Sequence, residues 1–415
     1  MCALMIGMAS IAFSADEFPA AESLPEIAGL PDPFLMMDGR RVTTPEQWYA
    51  ERRPELKRLF QHYMYGYTPE APEIVAKVTQ NDDGLMDGAA VLKQVEIRLG
   101  RDEDAPVIHL ALVLSAQAKG PAPIFLAVNS CGNHRVHPFP GFAIQEGVYR
   151  PKECEGDQEA ARGAEADFWC VEYLIQRGYG FATFQDSDID PDKDDFTDGV
   201  HAYFKDVPGP QESRWGTIAA WAWGISRSIE YLAADKDIDA QRICVTGHSR
   251  RGKTALLAAA MDERIALVVP HQSGTGGMAL SRGNDQETVE RINRVFPHWF
   301  NDTFIKFNDN ESRLPIDQHL LVALVAPRPL LDTAGLQDTW ANYESGLRNL
   351  KAADAVHQFL GEKGLVGEGV LTNTQITSEN SGAILQYRLD TKHTMNQDYW
   401  KAILDFADIQ LPKAK

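Results

Sequence analysis

Basic residues are fewer than acidic residues in this sequence. Its 415 residues include 40 lysines and arginines against 59 aspartates and glutamates, which gives a formal net charge of -19 at pH 7. Such a charge repels polyphosphates and anionic membranes, so we predict no nucleic-acid partner and no membrane partner. An anionic substrate is not excluded, because a few arginine or lysine side chains can reverse the field inside a cleft.

Long apolar runs are missing after the N-terminus. No stretch beyond residue 15 approaches the roughly 20 apolar residues that a membrane-spanning helix needs. The opening segment, MCALMIGMASIAFSA, is apolar up to Asp16 and ends in small residues, which is typical of a signal peptide over residues 1–15. It has no basic start, so it is either a shortened signal or a retained apolar N-terminus. We expect a secreted or periplasmic bacterial protein.

Cysteine is scarce. Of the five cysteines, Cys2 lies in the predicted signal peptide, and the others are Cys131, Cys154, Cys170 and Cys244. An even number in an exported protein permits disulfides, but the sequence does not assign the pairs, and buried free thiols fit equally well. No cysteine and histidine spacing typical of zinc is present.

What the sequence does contain is an alternation of short apolar strands and helices. Predicted strands cover residues 106–114, 122–128, 179–184, 242–246, 265–270 and 329–334, and a helix is predicted over 254–261. Strands interleaved with helices favour a mostly parallel sheet covered on both faces. Without a repeat or a low-complexity linker, we expect one catalytic domain over 101–415. An N-terminal extension over 16–100 is expected to pack on it.

The most informative local pattern is GHSRRGK at residues 247–253, between a predicted strand and a predicted helix. A serine in such a sharp turn, here Ser249, exposes its hydroxyl at the carboxyl edge of the sheet, beside a helix N-terminus. The flanking glycines allow the backbones to approach closely. Arg251 stands where the strict G-x-S-x-G pattern has its second glycine. The pattern predicts an α/β-hydrolase fold, a three-layer αβα sandwich with a mostly parallel central sheet, and Ser249 as nucleophile.

A serine nucleophile needs a base, and in this fold the partners follow in the order serine, acid, histidine. Of the 11 histidines, His357 and His393 lie beyond a plausible acid-bearing strand end. His357 lies within a regular element, AADAVHQFL, whereas His393 lies in a loop that leads into the last helix. We therefore predict His393 as the general base.

The acid is expected directly behind a late strand. The predicted strand 329–334 is followed by GLQD, which makes Asp338 the predicted acid. Asp332, within the strand, remains the competitor, because a shift of one residue decides which carboxylate faces the histidine. Either carboxylate would fix the imidazole tautomer and stabilise the imidazolium.

Several segments together resemble the glucuronoyl esterases of carbohydrate esterase family 15. Beside GHSRRGK they are WGTIAAWAWGISRSIEYL upstream and LPIDQHLLVALVAPRP downstream, with NSCGN, HQSGTGG, FPHWF and the terminal KHTMNQDYW. The resemblance spans residues 129–408. This combination is much more specific than the serine turn alone.

The resemblance implies hydrolysis of the ester that joins 4-O-methyl-glucuronic acid side chains of xylan to lignin alcohols. It implies no metal and no organic cofactor, and we expect a monomer. Ser249 would attack the uronoyl carbonyl and His393 would shuttle the proton. Both the backbone N–H and the side chain of Arg250 would face the oxyanion.

For the sugar, the resemblance implies hydrogen bonds from Lys253 and to Glu287, and a ring contact with Trp340. The residues alone leave alternatives open, namely a solvated Lys253, a Trp340 that belongs to the core and a Glu287 with no contact to substrate.

One position departs from the family pattern. Many members carry the triad acid as Glu directly before the Ser-Gly of the QSGTGG-like segment, and this chain has Gln272 there. An amide does not stabilise an imidazolium as a carboxylate does, so the acid is expected from the other strand end, at Asp338. Two further functions stay open. One is another carbohydrate acyl esterase, acting on acetyl xylan or feruloyl esters, and the other is a catalytically weak carbohydrate-binding relative.

Overall fold

The structure is a computed structural model that describes residues 18–412, so the predicted signal segment lies outside the described residues. It contains a 10-stranded sheet. In chain order the strands are β1 (Val75–Leu85), β2 (Ala90–Arg98), β3 (Val107–Ser115), β4 (Ala122–Asn129), β5 (Gly180–Gln185), β6 (Ile238–His248), β7 (Leu267–His271), β8 (Leu330–Gly335), β9 (Val370–Thr372) and β10 (Ile384–Leu389). The α-helices are α1 (Pro45–Gln47), α2 (Arg53–Phe60), α3 (Ala166–Trp169), α4 (Val171–Gln176), α5 (Gly199–Tyr203), α6 (Thr217–Ala234), α7 (Arg250–Met261), α8 (Val289–Val295), α9 (Gln318–Val325), α10 (Tyr343–Phe359) and α11 (Gln397–Gln410).

The strand order across the sheet is β1-β2-β3-β5-β4-β6-β7-β8-β10-β9. β1, β2 and β3 pair antiparallel, and β3 pairs antiparallel with β5. From β5 to β9 all neighbours are parallel. The carboxyl ends of these parallel strands therefore meet at one edge, which is where ligands bind in open α/β sheets.

Helices cover both faces of the sheet. On one face α7 packs against α6 and α9, and α9 packs against α10, while on the other face α11 packs against α3 and α4. Each face has its own cluster of buried apolar side chains. The three-layer αβα architecture predicted from the sequence is therefore confirmed.

The predicted central strands and the helix behind Ser249 are present as β3 to β8 and α7. Each central strand is a short, almost continuously buried apolar run, which is expected of a strand covered on both faces. His357 lies in α10, and His393 lies in the loop before α11, as predicted.

The N-terminal region contributes to the same sheet. β1 and β2 lie before residue 100 and continue the sheet beyond β3. A helical segment that includes α2 packs on α9, where Arg53 Nη2 donates to the backbone oxygen of Leu324 at 3.0 Å. The division of the chain at residue 100 stays a prediction.

β1 forms an outer strand of the sheet and is irregular. Most of its side chains are exposed, and its register against β2 shifts between Val78 and Gln80 and again between Asp82 and Leu85. Such shifts are typical of β-bulges.

Cys131 and Cys154 form a disulfide, while Cys170 and Cys244 are free thiols. The bridge ties the segment behind β4 to a turn 23 residues further along the chain. Between residues 18 and 412, no helix is both long and apolar enough to cross a membrane.

Candidate active site

Ser249 lies in the turn between β6 and α7 with φ 60° and ψ −125°. A positive φ is unfavourable for a residue with a Cβ, and it persists here because the turn is fixed on both sides. A Cβ on Gly247 would lie 2.1 Å from the carbonyl oxygen of Arg251, and one on Gly252 would lie 2.8 Å from that of His271. Both glycines are therefore required by close backbone contacts, as the pattern predicted.

His393 and Asp338 are in direct contact. The Nδ1 atom of His393 lies 2.6 Å from Oδ2 of Asp338, which follows the end of β8. The Asp338 side chain is only 3% exposed, whereas that of His393 is 38% exposed. The acid is thus enclosed and the imidazole reaches the cavity, an arrangement in which the carboxylate fixes the ring through Nδ1–H.

Asp332 has different surroundings. It lies within β8, where its Oδ2 accepts a hydrogen bond from Gln386 Nε2 at 2.6 Å on the neighbouring strand β10. Burial raises the pKa of Asp332 to about 7. The side chains that line the cavity around Ser249 include Asp338 and do not include Asp332.

The guanidinium of Arg250 lies close to two stacked aromatic rings. Its Cζ is 4.6 Å from the ring centroid of Trp299 and 4.9 Å from that of Phe296, and these two rings stack with 3.7 Å between centroids. Arg250 Nη1 also donates to Oδ2 of Asp192 at 2.5 Å. A guanidinium that contacts aromatic rings and a carboxylate at once is restricted in orientation.

The predicted sugar-binding residues form one hydrogen-bonded chain. Lys253 Nζ donates to Oε2 of Glu287 at 3.1 Å and to the Ser273 carbonyl at 2.6 Å, and Trp340 Nε1 donates to Oε1 of Glu287 at 2.5 Å. Lys253 is buried, and burial lowers its pKa. The lysine is therefore not solvated. Trp340 is half-buried and lines the cavity, so it does not belong to the core.

Gln272 fastens the loop that carries His393. Its Oε1 accepts from the backbone N–H of Thr394 at 2.9 Å, and its Nε2 donates to the carbonyl of Lys392 at 3.0 Å. Gln272 directly follows β7 and has a φ of 47°. An amide is required for this pair of contacts, since it donates and accepts at once.

His248 is a neighbour of His393 that the sequence did not indicate. Their ring centroids are 4.2 Å apart, and the ring centroid of His271 lies 5.2 Å from that of His248. Burial, together with His271 and His393, holds the pKa of His248 well below its usual value. Burial likewise lowers the pKa of His271 to about 3. Two neutral imidazoles therefore lie near His393.

The segment DSDIDPD over residues 186–192 supplies further contacts that were not predicted. Its alternate aspartates accept hydrogen bonds from Arg251 (Asp186), His109 (Asp188), Thr217 (Asp190) and Arg250 (Asp192). The alternation of acidic residues was a visible signal. It did not tell which carboxylate contacts Arg250, because that depends on contacts far apart in sequence.

A cavity of about 310 Å³ at the carboxyl edge of the sheet brings the predicted residues together. It is lined by Ser249, Arg250, Lys253, Gln272, Ser273, Gly274, Glu287, Phe296, Trp299, Asp338, Trp340 and His393. In the part of the chain that the structure describes, no group of three or more His, Cys, Asp or Glu side chains is arranged to hold a metal ion. The chemistry available in the cavity is acyl transfer by an activated serine.

Comparisons with known proteins agree on one family. A family model described as "Glucuronyl esterase, fungi" matches residues 161–361. A carbohydrate esterase from an unknown prokaryotic organism is 41% identical over 386 residues, covering 91% of this chain and 89% of that protein. The 4-O-methyl-glucuronoyl methylesterase of Schizophyllum commune is 30% identical over 366 residues, covering 85% of this chain and 79% of that protein.

Solved structures give the same result. The glucuronoyl esterase from Solibacter usitatus is 34% identical with a TM-score of 0.84, covering 94% of this chain and 99% of that one. A promiscuous esterase of carbohydrate esterase family 15 from a marine bacterial metagenome is 40% identical with a TM-score of 0.83, at the same coverage of 94% and 99%.

Proposed function

The chain belongs to the glucuronoyl esterases of carbohydrate esterase family 15, and from this membership we propose which of its residues carry out the reaction. It is a carboxylic ester hydrolase with an α/β-hydrolase fold, as predicted. The proposed nucleophile is Ser249, with His393 as general base and Asp338 as the acid that orients it. The contact of 2.6 Å between His393 and Asp338 supports this assignment.

In the proposed mechanism, Ser249 Oγ attacks the uronoyl carbonyl carbon while Nε2 of His393 takes the hydroxyl proton. The tetrahedral oxyanion is stabilised by the backbone N–H and the guanidinium of Arg250. His393 then protonates the leaving alcohol as the ester C–O bond breaks, which leaves an acyl-enzyme. Water attacks this ester with His393 as base again, and the uronic acid is released as Ser249 regains its proton.

Recognition of the uronate is proposed to lie with the chain of Lys253, Glu287 and Trp340. The lysine donates to sugar hydroxyls, the carboxylate accepts from them, and the indole lies against the ring. This network beside Ser249, in one cavity, is the observation that carries the proposal. A small acyl group such as acetate would make none of these contacts and would gain no transition-state stabilisation from them, which favours the uronate ester.

The test compares benzyl glucuronate with p-nitrophenyl acetate for the wild type and for Ser249→Ala. We expect turnover of the uronate ester well above that of the acetate, and loss of both in Ser249→Ala. The variant should still bind the uronate, because the hydroxyl contributes chemistry and little affinity. Turnover of acetate alone would assign the protein to another acyl esterase, and no turnover of either ester would indicate a binding relative.

The natural substrate is proposed to be the ester between glucuronic acid side chains of xylan and lignin alcohols. The protein is proposed to act on it outside the cytoplasm. The disulfide between Cys131 and Cys154 supports an oxidising compartment. Expression in a bacterial host, followed by fractionation and measurement of the N-terminal mass, tests export. A protein that remains in the cytoplasm with its first 15 residues attached would contradict it.

A further inference from the structure

Asp192 connects the residue behind the nucleophile to a distant loop. One carboxylate oxygen accepts from Arg250 Nη1 at 2.5 Å, while the other accepts from Nε2 of His298 at 3.0 Å and from Nε1 of Trp299 at 2.9 Å. The side chain is 7% exposed. Burial by itself would raise the pKa of Asp192, but the hydrogen bond from His298 and the charge of Arg250 outweigh it and hold the pKa well below its usual range. The carboxylate is therefore ionised and fixed by both oxygens.

Arg250 has two kinds of partner. The stacked rings of Trp299 and Phe296 lie close to its guanidinium, and Oδ2 of Asp192 accepts from its Nη1. Trp299 takes part in both, since its ring lies close to the guanidinium while its indole N–H donates to Asp192. An arginine side chain on a surface samples many rotamers. These contacts restrict Arg250 to one orientation, in which it lines the cavity beside Ser249.

We propose that Asp192 is a positioning residue of the esterase reaction, which fixes the guanidinium of Arg250 where negative charge develops on the ester oxygen. The proposal rests on the proposed role of Arg250 in stabilising the oxyanion. A donor that is already in place needs no reorganisation when charge develops, so it stabilises the transition state more than the bound ester. Loss of Asp192 therefore lowers kcat and leaves KM nearly unchanged.

The experiment is a double-mutant cycle with Asp192→Asn, Arg250→Ala and the combined variant, assayed on benzyl glucuronate. Arg250→Ala is expected to lower kcat by about 10²- to 10³-fold, the range for loss of an oxyanion donor, and Asp192→Asn by about 10- to 100-fold. In the Arg250→Ala background the second substitution should cause no further loss. An equal loss in both backgrounds would overturn the proposal, because a purely structural role does not depend on Arg250.

Asp190→Asn is the matched control. Asp190 lies two positions away, is also buried, and accepts from Thr217 at 2.6 Å instead of from Arg250. Burial raises its pKa, so a neutral amide is a mild change there. We expect wild-type kcat and KM for Asp190→Asn. A loss there equal to that of Asp192→Asn would assign the effect to the segment as a whole and refute the specific contact.

The outcomes also separate this proposal from the function on which it rests. Wild-type kcat in Arg250→Ala would refute the oxyanion role and the positioning role together. A large loss in Arg250→Ala with full activity in Asp192→Asn would refute only the positioning role. If Asp192→Asn fails to fold, Asp192→Glu displaces the carboxylate by one methylene, and its loss of kcat should likewise disappear in the Arg250→Ala background.

Discussion

Asp338 and Asp332 are both buried, but their carboxylates contact different partners. Asp338 contacts Nδ1 of His393 at 2.6 Å, while Asp332 contacts Gln386 inside the sheet. A carboxylate orients a catalytic imidazole only by direct contact with it. The contact with His393 therefore supports the proposal that Asp338 is the triad acid.

Substituting Asp338 by Asn should lower kcat on benzyl glucuronate by roughly 10³- to 10⁴-fold, because an amide neither fixes the required tautomer nor stabilises the imidazolium. Asp332→Asn is the control and should keep kcat within about threefold, as expected for a group without contact to the reacting atoms. Steady-state kinetics at neutral pH decide between them. A larger loss in Asp332→Asn would move the triad acid to that residue.

The amide nitrogen of Gln272 makes a hydrogen bond that a carboxylate at this position could not make. The amide here holds Lys392 and Thr394, the two neighbours of His393. A carboxylate at the same place would lose the donor to Lys392 and point an anion at a carbonyl oxygen. The loop that carries His393 would therefore have to move.

Gln272→Glu is therefore expected to lower kcat, by about 10- to 100-fold if His393 shifts by about an ångström. Gln272→Met, which fills similar space without either hydrogen bond, serves as the comparison and should show a loss of the same size. The kcat of both variants is measured across the pH range. A rise in kcat for Gln272→Glu would show that a carboxylate at this position acts as the triad acid.

At the scale of single residues, the sequence indicated those side chains whose position follows from a local element. Ser249 occupies a strand-to-helix turn with its own glycine pattern, and Asp338 and His393 lie directly behind or before regular elements. Asp192 and His248 depend on contacts between segments that are far apart in the chain. No local pattern carries that information, so they became visible only in the structure.

The turn between β6 and α7 combines Ser249 with close backbone packing. Gly252 belongs to the first turn of α7, and a Cβ there would meet the carbonyl oxygens of Gly247 and His271 at 2.8 Å. Its backbone is helical, so a substitution tests the close approach alone, without any demand for a positive φ. Rigid backbone on both sides cannot yield without moving the helix that follows Ser249.

Gly252→Ala should destabilise the protein by about 1–3 kcal/mol through overpacking and lower kcat as Ser249 is displaced. Gly120→Ala is the control, since a Cβ there meets nothing within 4 Å, and its effect should be within about 1 kcal/mol. Urea unfolding and kcat are measured for both variants. Equal stability of the two variants would show that the turn can absorb a methyl group.

At the scale of elements, the central strands were predictable and the outer ones were not. β4, β5 and β7 are fully buried apolar runs, a pattern that covered parallel strands produce. β1 carries exposed polar residues, and β10 buries Gln386 and Arg388, whose side chains find partners only in the folded chain. Apolar patterning cannot indicate either kind of strand.

For the molecule as a whole, the burial of Asp332 links folding to pH. Its pKa is raised to about 7 from 3.8 by desolvation. Between these values the folded chain holds a proton that the unfolded chain has lost, so stability is full below about pH 4 and falls as pH rises towards 7. The penalty is complete above pH 7.

Asp332→Asn removes this penalty, because an amide has no proton to lose. The variant should exceed the wild type in unfolding free energy by roughly 2–4 kcal/mol at pH 8 and by much less at pH 5, given about 1.4 kcal/mol for each pH unit between the two pKa values. Urea denaturation at several pH values provides the measurement. An advantage that stays constant with pH would show that ionisation of Asp332 is not the cause.

The outer strand β1 affects how copies of this protein associate at high concentration. A flat strand with a free backbone edge is a template on which a second chain can add its own strand, and intermolecular sheets grow from such edges. β1 has two register shifts, and it presents Lys77 and acidic side chains to solvent. An incoming strand would meet an interrupted row of donors and acceptors and would have to bury a charge. The irregular edge thus protects the protein from aggregation through its sheet.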